Sequence, residues 1–400
     1  MKAALITGTQ DVVLRDIPDA IRMCTDEALI RISYVGLCGS DLELYHGTSK
    51  YLRAGQTTYP HHFGHEWVGT IEKPPQDPSA GHLTPGAIVT GSTMLSCQTC
   101  VACQSGHKNL CLRVREVGLY DHPGAAAGLL NMPASALTLL DDAATSEPHP
   151  AQVLIEPLVT VLEGVAKWCP SPGNRILIVG GGTMGSLAAL VLSYYPVEVT
   201  VFEPVSSSHL IDLGINTVTD PEDISSEFYD VVWECSGARS ATEDMLSHLK
   251  VGGIILLIGV PSADTRLDIS ELALNGQAIF GVRHGVDHYP AAAEFLHQHS
   301  QQVNHLVDRI YPISEVRAAF ERLEEPREHP KVVLKIALDK YSPRHRGEQR
   351  NRKRHCAATY QRRHPSADRL PLWEVARGKA LQFPEFNGKR ESNSRAYRLE

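Results

Sequence analysis

Between Arg175 and Gly185 the chain reads R-I-L-I-V-G-G-G-T-M-G, an apolar strand running into Gly180, Gly182 and Gly185 and then into the helical stretch MGSLAALVLSYY. Glycines at G-x-G-x-x-G spacing permit a tight turn, a close approach of backbone N–H groups to a pyrophosphate, and close packing of helix on strand. The helix N-terminus adds partial positive charge. Glu203 closes the next strand, VEVTVF, where a carboxylate accepts from a ribose 2′-hydroxyl and repels a 2′-phosphate; Ser206, Ser207 and Ser208 follow where an arginine would favour that phosphate. Gly180, Gly182, Gly185 and Glu203 are therefore expected to bind a dinucleotide, NAD in preference to NADP. Apolar strands keep alternating with helices through YDVVWECSG, ATEDMLSHL and GGIILLIGV, which predicts a parallel, doubly wound sheet covered by helices on both faces.

The first 155 residues have a different texture. KAALIT, VVLRDI, EALIRISYVG, EWVGTIE and GAIVTG are short strands divided by glycine and proline, which predicts a β-rich domain with long loops. After Asp287 come two helical stretches, PAAAEFLHQH and SEVRAAFERLEE, and a strand, KVVLKIAL, that is expected to rejoin the first domain. The expected organisation is a catalytic domain over 1–155 completed by about 290–340, a nucleotide domain over 156–289, and an extension over 341–400.

Of nine cysteines, Cys97, Cys100, Cys103 and Cys111 form C-x2-C-x2-C-x7-C. Four thiolates at these spacings can close tetrahedrally around one Zn2+, leaving no free position, so such a site would be structural. An iron–sulfur cluster accepts the same four ligands. A second constellation is more open. G-L-C-G-S-D at Gly36–Asp41, F-G-H-E at Phe63–Glu66 and I-E-P-L at Ile155–Leu158, placed after a strand-like VLI, offer Cys38, His65, Glu66 and Glu156. A mixed thiolate, imidazole and carboxylate set that leaves a position for water or substrate is the arrangement of catalytic zinc. His46, His61 and His62 compete for the ligand role on spacing alone.

The charge balance narrows the partners. The formal net charge of −8 conceals an asymmetry: residues 341–400 hold 15 basic against 6 acidic residues, leaving 23 against 40 in residues 1–340. An acidic globule of this kind repels nucleic acid and anionic membrane faces, so small-molecule partners are expected. The Arg- and Ser-rich extension reads as disordered. No apolar run approaches the roughly 18 residues of a membrane span, and MKAALITGTQ reads as a first strand and not a signal peptide. The expected location is the cytoplasm.

Taken together, GLCGSD, GHE, the four-cysteine lobe, EPL and GGGTMG, in that order, resemble the zinc-containing medium-chain alcohol and polyol dehydrogenases over residues 1 to about 340. The resemblance implies an α/β protein with a β-rich GroES-like catalytic domain and a Rossmann domain. It implies two zinc ions per subunit, one structural at the four cysteines and one catalytic at Cys38 and His65, with Glu66 and Glu156 as ligands or near-ligands, and a homodimer or homotetramer. Ser40 is placed like the family's hydroxyl relay. Many relatives carry a histidine five residues beyond the ligand cysteine, where this chain has Glu43; His46 is the alternative outer end of the relay. Glu156 in place of a cysteine is similar to sorbitol, glucose, threonine and 2-deoxy-scyllo-inosamine dehydrogenases, which oxidise a secondary hydroxyl. A nucleotide-binding protein without turnover is the competing reading, and the presence of Cys38, Ser40, His65, Glu66 and Glu156 together counts against it.

Overall fold

The strand Glu27–Gly36 hydrogen-bonds to three neighbours, Glu66–Lys73, Leu129–Pro133 and Lys331–Lys335, and so organises the first lobe. The computed structural model describes residues 1–142, 146–205, 208–261 and 264–336. The expectations for the extension 341–400, and for Ser206 and Ser207, lie outside these residues. Around the central strand, the sheet runs Leu137–Asp141, Ile88–Gly91, Glu66–Lys73, Glu27–Gly36, Lys331–Lys335 and Val307–Pro312. The terminal strand thus returns to the first lobe, pairing Val333 with Gly36. Phe63, Trp67 and Phe320 are fully buried in the core of this lobe.

Register is what gathers the site. Gly36 opposes Glu66 on one side and Val333 on the other, so Cys38, Glu66 and Lys331 emerge at one end of the sheet. A side chain at Gly36 would overlap Glu66 Oε2; glycine there leaves room for the carboxylate.

The second sheet is parallel, in the order Asn216–Val218, Glu198–Phe202, Arg175–Val179, Tyr229–Glu234, Leu249–Leu257 and Ala278–Gly281. In chain order this is 3-2-1-4-5-6, with its switch point between Arg175–Val179 and Tyr229–Glu234, the edge where doubly wound sheets take their ligands. The fold is therefore mixed α/β, a GroES-like β lobe beside a Rossmann sheet. One apolar cluster joins the two, running from Val68, Val153 and Val333 of the first lobe to Ile176, Ile178 and Trp233 of the second.

One local expectation fails. The segment before Glu156 is not a strand: Pro150–Leu154 is a 3₁₀ turn that runs into the α-helix Ile155–Lys167. Proline at the first position suits a helical start, and Leu158, Val161 and Val165 recur at helical spacing on a buried face. Glu156 consequently sits in the first helical turn, where a negative charge is favoured by the helix dipole.

Candidate active site

Cys38 directly precedes the helix Gly39–His46, and its N–H donates to Asp41 Oδ2 at 3.0 Å. Asp41 is fully buried, and its Oδ1 lies 3.6 Å from His65 Nδ1. Burial disfavours a charged His65, but the Asp41 carboxylate and the Cys38 sulfur outweigh that and raise its pKa well above the ordinary value. Ligand atoms of Cys38, His65 and Glu66 lie within 4.8 Å of one another. A soft sulfur, an imidazole and a carboxylate so placed fit one divalent ion of the zinc type, with Asp41 behind His65 as the carboxylate that orients a ligand ring.

Glu66 is held by a partner that spacing did not suggest. Lys331 Nζ, 1% exposed, lies 2.6 and 2.8 Å from the two carboxylate oxygens and donates also to the Leu37 carbonyl at 3.1 Å. Burial pushes the Glu66 carboxyl above the usual carboxylate range even with this ammonium beside it. A lysine directly ahead of the apolar run Val332–Leu334 was the available hint. Removing it strands a buried carboxylate: Lys331→Met should destabilise the metal-free protein by about 3–5 kcal/mol at neutral pH. The loss should shrink as falling pH protonates Glu66. Urea unfolding at two pH values reads this, and a pH-independent loss under about 1 kcal/mol would contradict the assigned role.

Glu156 lies outside the three-residue cluster. Thr93 Oγ1 is 2.8 Å from Glu156 Oε1 and 3.1 Å from the His65 carbonyl, and His284 Nε2 is 3.2 Å from the same Glu156 oxygen. Tyr289 completes the network, its hydroxyl accepting from the Thr93 N–H at 3.2 Å and lying 3.3 Å from His284 Nε2. Burial acts to raise Glu156, but His284, His65 and Thr93 overcome it and hold its pKa to about 2. The two neighbouring carboxylates are thus driven in opposite directions. Thr93, His284 and Tyr289 carry no motif; only folding brings them to Glu156.

None of the three competing histidines joins the Cys38, His65 and Glu66 set, and His61 and His46 are engaged elsewhere. His61 meets Thr57 Oγ1 and the Gly118 carbonyl, both at 2.8 Å. Burial takes His62 down to about 4, and His46 pairs with Glu324 at 2.9 Å. Glu43, one helical turn beyond Ser40, is half-buried, and that burial raises its pKa against the pull of Lys50 and Arg53.

The four cysteines converge around a second point. Sulfur separations are 3.5 Å for Cys100–Cys103, 3.9 Å for Cys100–Cys111 and 4.0 Å for Cys97–Cys103. A tetrahedron with Zn–S bonds of about 2.3 Å has edges of about 3.8 Å. The gap suits one ion and is too small for a multi-iron cluster. Burial opposes ionisation of Cys97, but N–H and hydroxyl donors at Thr99 and Cys100 bring it down to about 5, whereas burial pushes Cys111 up to about 12. Holding all four as thiolates at these separations would require a cation between them.

At the parallel sheet, Gly180 has φ +98°, and a side chain at Gly185 would strike the Gly180 carbonyl, so turn and helix pack at glycine distance. Glu203 accepts from the N–H groups of Gly181 at 2.8 Å and Val205 at 2.9 Å. Gly180, Phe202, Glu203, Ile224 and Ser236 line a cavity of about 480 Å³ beside this turn. The donor-rich turn, helix N-terminus and carboxylate fit a dinucleotide.

The family model of the alcohol dehydrogenase GroES-like domain matches residues 25–142, and that of the glucose dehydrogenase C-terminus matches residues 153–336. Sorbitol dehydrogenase of Bacillus subtilis (strain 168) is 27% identical over 341 residues, covering 80% of this chain and 93% of that protein. L-threonine 3-dehydrogenase of Legionella pneumophila (strain Corby) is 25% identical over 315 residues, covering 74% and 88%. Among solved structures, the alcohol dehydrogenase of Thermus sp. ATN1 shares the fold with a TM-score of 0.73 at 23% identity, covering 84% of this chain and all of that one.

Proposed function

Because the chain belongs to the zinc-type medium-chain alcohol and polyol dehydrogenase family of NAD(P)-dependent enzymes, we propose that it oxidises a secondary hydroxyl of a polyol, sugar or aminocyclitol, 2-deoxy-scyllo-inosamine standing at the cationic end of that range. The observation that carries this is the set of half-buried Cys38 with buried His65 and Glu66, and Glu156 held beside it. Cys38 and His65 hold the catalytic zinc, Glu66 and Glu156 are ligands or near-ligands, and Cys97, Cys100, Cys103 and Cys111 hold the structural zinc, two ions per subunit. Zinc at the first site supplies Lewis acidity that eases loss of a hydroxyl proton. The dinucleotide supplies the hydride acceptor.

The chain's own groups do the rest. Asp41 fixes the ring of His65, and Lys331 neutralises Glu66 so that two buried carboxylates can coexist with one thiolate. Ser40, two residues past Cys38, receives the substrate proton, and Glu43, one turn further along the same helix, is the better placed outer end of the relay because His46 is committed to Glu324. Gly180, Gly182 and Gly185 cradle the pyrophosphate. Glu203 receives the ribose hydroxyl on lone pairs left over from its two backbone contacts, which favours NAD over NADP. The enzyme acts in the cytoplasm as a homodimer or homotetramer; among the described residues no helix is long and apolar enough to cross a membrane.

Oxidation of glucose or of L-threonine at C3 is the second reading, favoured by the glucose dehydrogenase match over 153–336 and by the threonine dehydrogenase relatives. NADH formation across sorbitol, myo-inositol, glucose, threonine and 2-deoxy-scyllo-inosamine, with NAD and NADP each tried and zinc counted in the same sample, separates these. Turnover of a polyol-type substrate with NAD and about two zinc ions per chain is expected. Zinc and bound dinucleotide with no turnover of any alcohol would leave a nucleotide-binding protein without activity.

A further inference from the structure

Gly180, Gly181 and Gly182 stand in a row with no side chain to fix how their peptides face, and glycine is the most permissive residue in backbone conformation. The orientation of this turn therefore has to come from its neighbours. The Gly181 N–H donates to Glu203 Oε2 at 2.8 Å. Its carbonyl is held by two side chains: Ser186 Oγ donates to it at 2.8 Å, and His209 Nε2 lies 3.1 Å from it and 2.8 Å from Ser186 Oγ. Ser186, on the helix Thr183–Leu192, is fully buried, and His209, on the short helix Ser208–Asp212, is 2% exposed. A side chain at Gly181 would crowd Glu203 and Leu210, so the residue there stays glycine and cannot fix its own peptide.

The His209 ring is neutral near pH 7. Burial lowers its pKa, the charges of His329 and His305 act in the same direction, and the Gly181 and Glu328 carbonyls oppose them without prevailing. A neutral imidazole carries one N–H, and a carbonyl oxygen only accepts, so the contact with Gly181 puts that proton on Nε2. Nδ1 is left with a bare lone pair and has no hydrogen-bond partner among the described residues. The only donor of the ring is thus spent on the Gly181 carbonyl and Ser186. A trans peptide is planar, its C=O and N–H pointing in opposite directions. A Gly181 carbonyl drawn toward this buried pair therefore turns the Gly182 N–H away from it. Gly182 caps the helix Thr183–Leu192, and the space where its side chain would stand is open. An amide turned that way, at the positive end of a helix, is a donor for a phosphate oxygen.

We propose that His209 is a positioning residue for the dinucleotide: with Ser186 it holds the Gly181 carbonyl inward and so keeps the Gly182 N–H facing the pyrophosphate. This rests on the proposed binding of the dinucleotide at Gly180, Gly182 and Gly185. His209 and Ser186 act through one peptide and need no contact with the cofactor themselves. Without their donors the carbonyl would be buried and unpaired. Turning the peptide over to relieve it would present an oxygen to the pyrophosphate in place of an N–H.

Equilibrium binding to the zinc-loaded protein tests it without turnover, with NADH read by its fluorescence, and ADP-ribose and adenosine read by their displacement of NADH. His209→Leu should weaken NADH and ADP-ribose by about tenfold. Adenosine, which carries no phosphate, should change by less than about twofold. His209→Gln keeps an N–H donor close to the Nε2 position and should bring NADH affinity back to within about threefold of the unaltered protein. Ser186→Ala is a small change that keeps the test open if His209→Leu fails to fold, and it should weaken the same two probes by about threefold to tenfold. Three results would overturn the proposal: His209→Leu weakening all three probes alike, His209→Gln binding NADH no better than His209→Leu, or Ser186→Ala leaving NADH and ADP-ribose unchanged. Failure of the unaltered protein to bind NADH would remove the dinucleotide reading itself, and the role of His209 with it.

Discussion

Cys38→Ser should lower kcat/KM by about a thousandfold or more, because a metal centre contributes several kcal/mol of charge stabilisation and each 1.4 kcal/mol is worth about a factor of ten. A serine hydroxyl does not ionise near neutral pH, so the substitution removes the anionic, soft member of the set and leaves His65 and Glu66 to hold the ion. The fold should survive: Cys38 precedes a helix whose start is tied through its backbone N–H to Asp41, a contact the substitution keeps. Dinucleotide affinity should stay within about twofold, since the glycine turn belongs to a different sheet. Zinc analysis, dinucleotide titration and initial rates on one preparation check all three. A loss of only a few-fold in rate with full zinc content would remove Cys38 from the catalytic site.

Cys100→Ser should act through stability. The cysteine lobe consists of a four-residue helix, Val101–Gln104, and a 3₁₀ turn, Lys108–Leu110, with Val101, Leu110 and Leu112 all more than half exposed. A segment so poor in core depends on its ion, and structural zinc contributes about 10–16 kcal/mol of apparent binding free energy in small domains. The variant should lose about one zinc per chain, yield less folded protein, and become sensitive to proteolysis between Cys97 and Cys111. Activity should fall too, because Lys108 pairs with Asp287, three residues beyond His284, and so ties the lobe to the segment that supports Glu156. Matching mild effects from the two cysteine variants would sink the division into a catalytic and a structural ion.

The elements that could be read from the chain are those governed by local chemistry. The glycine turn, the alternation of apolar strands with helices and the four-cysteine spacing each restrict the backbone within some 15 residues, and all reappear as described. Cys38, His65 and Glu66 were recognisable because ligand chemistry is limited to a few residue types. The segment before Glu156 was misread because a short apolar run fits a strand or a buried helix equally well, and the proline at its start decided the matter only in the folded chain.

What the chain alone determined, then, is the fold class and the donors that could hold an ion, since both depend on periodicity and residue chemistry that hold wherever a segment finally lies. The tertiary structure decided which groups surround those donors. Lys331 reaches Glu66 across 265 positions of sequence, Arg283 reaches Glu116 across 167, and Glu156 turns to Thr93 and His284. No local rule foretells these partners, because a buried charge takes whichever opposite charge strand register and lobe packing bring to it.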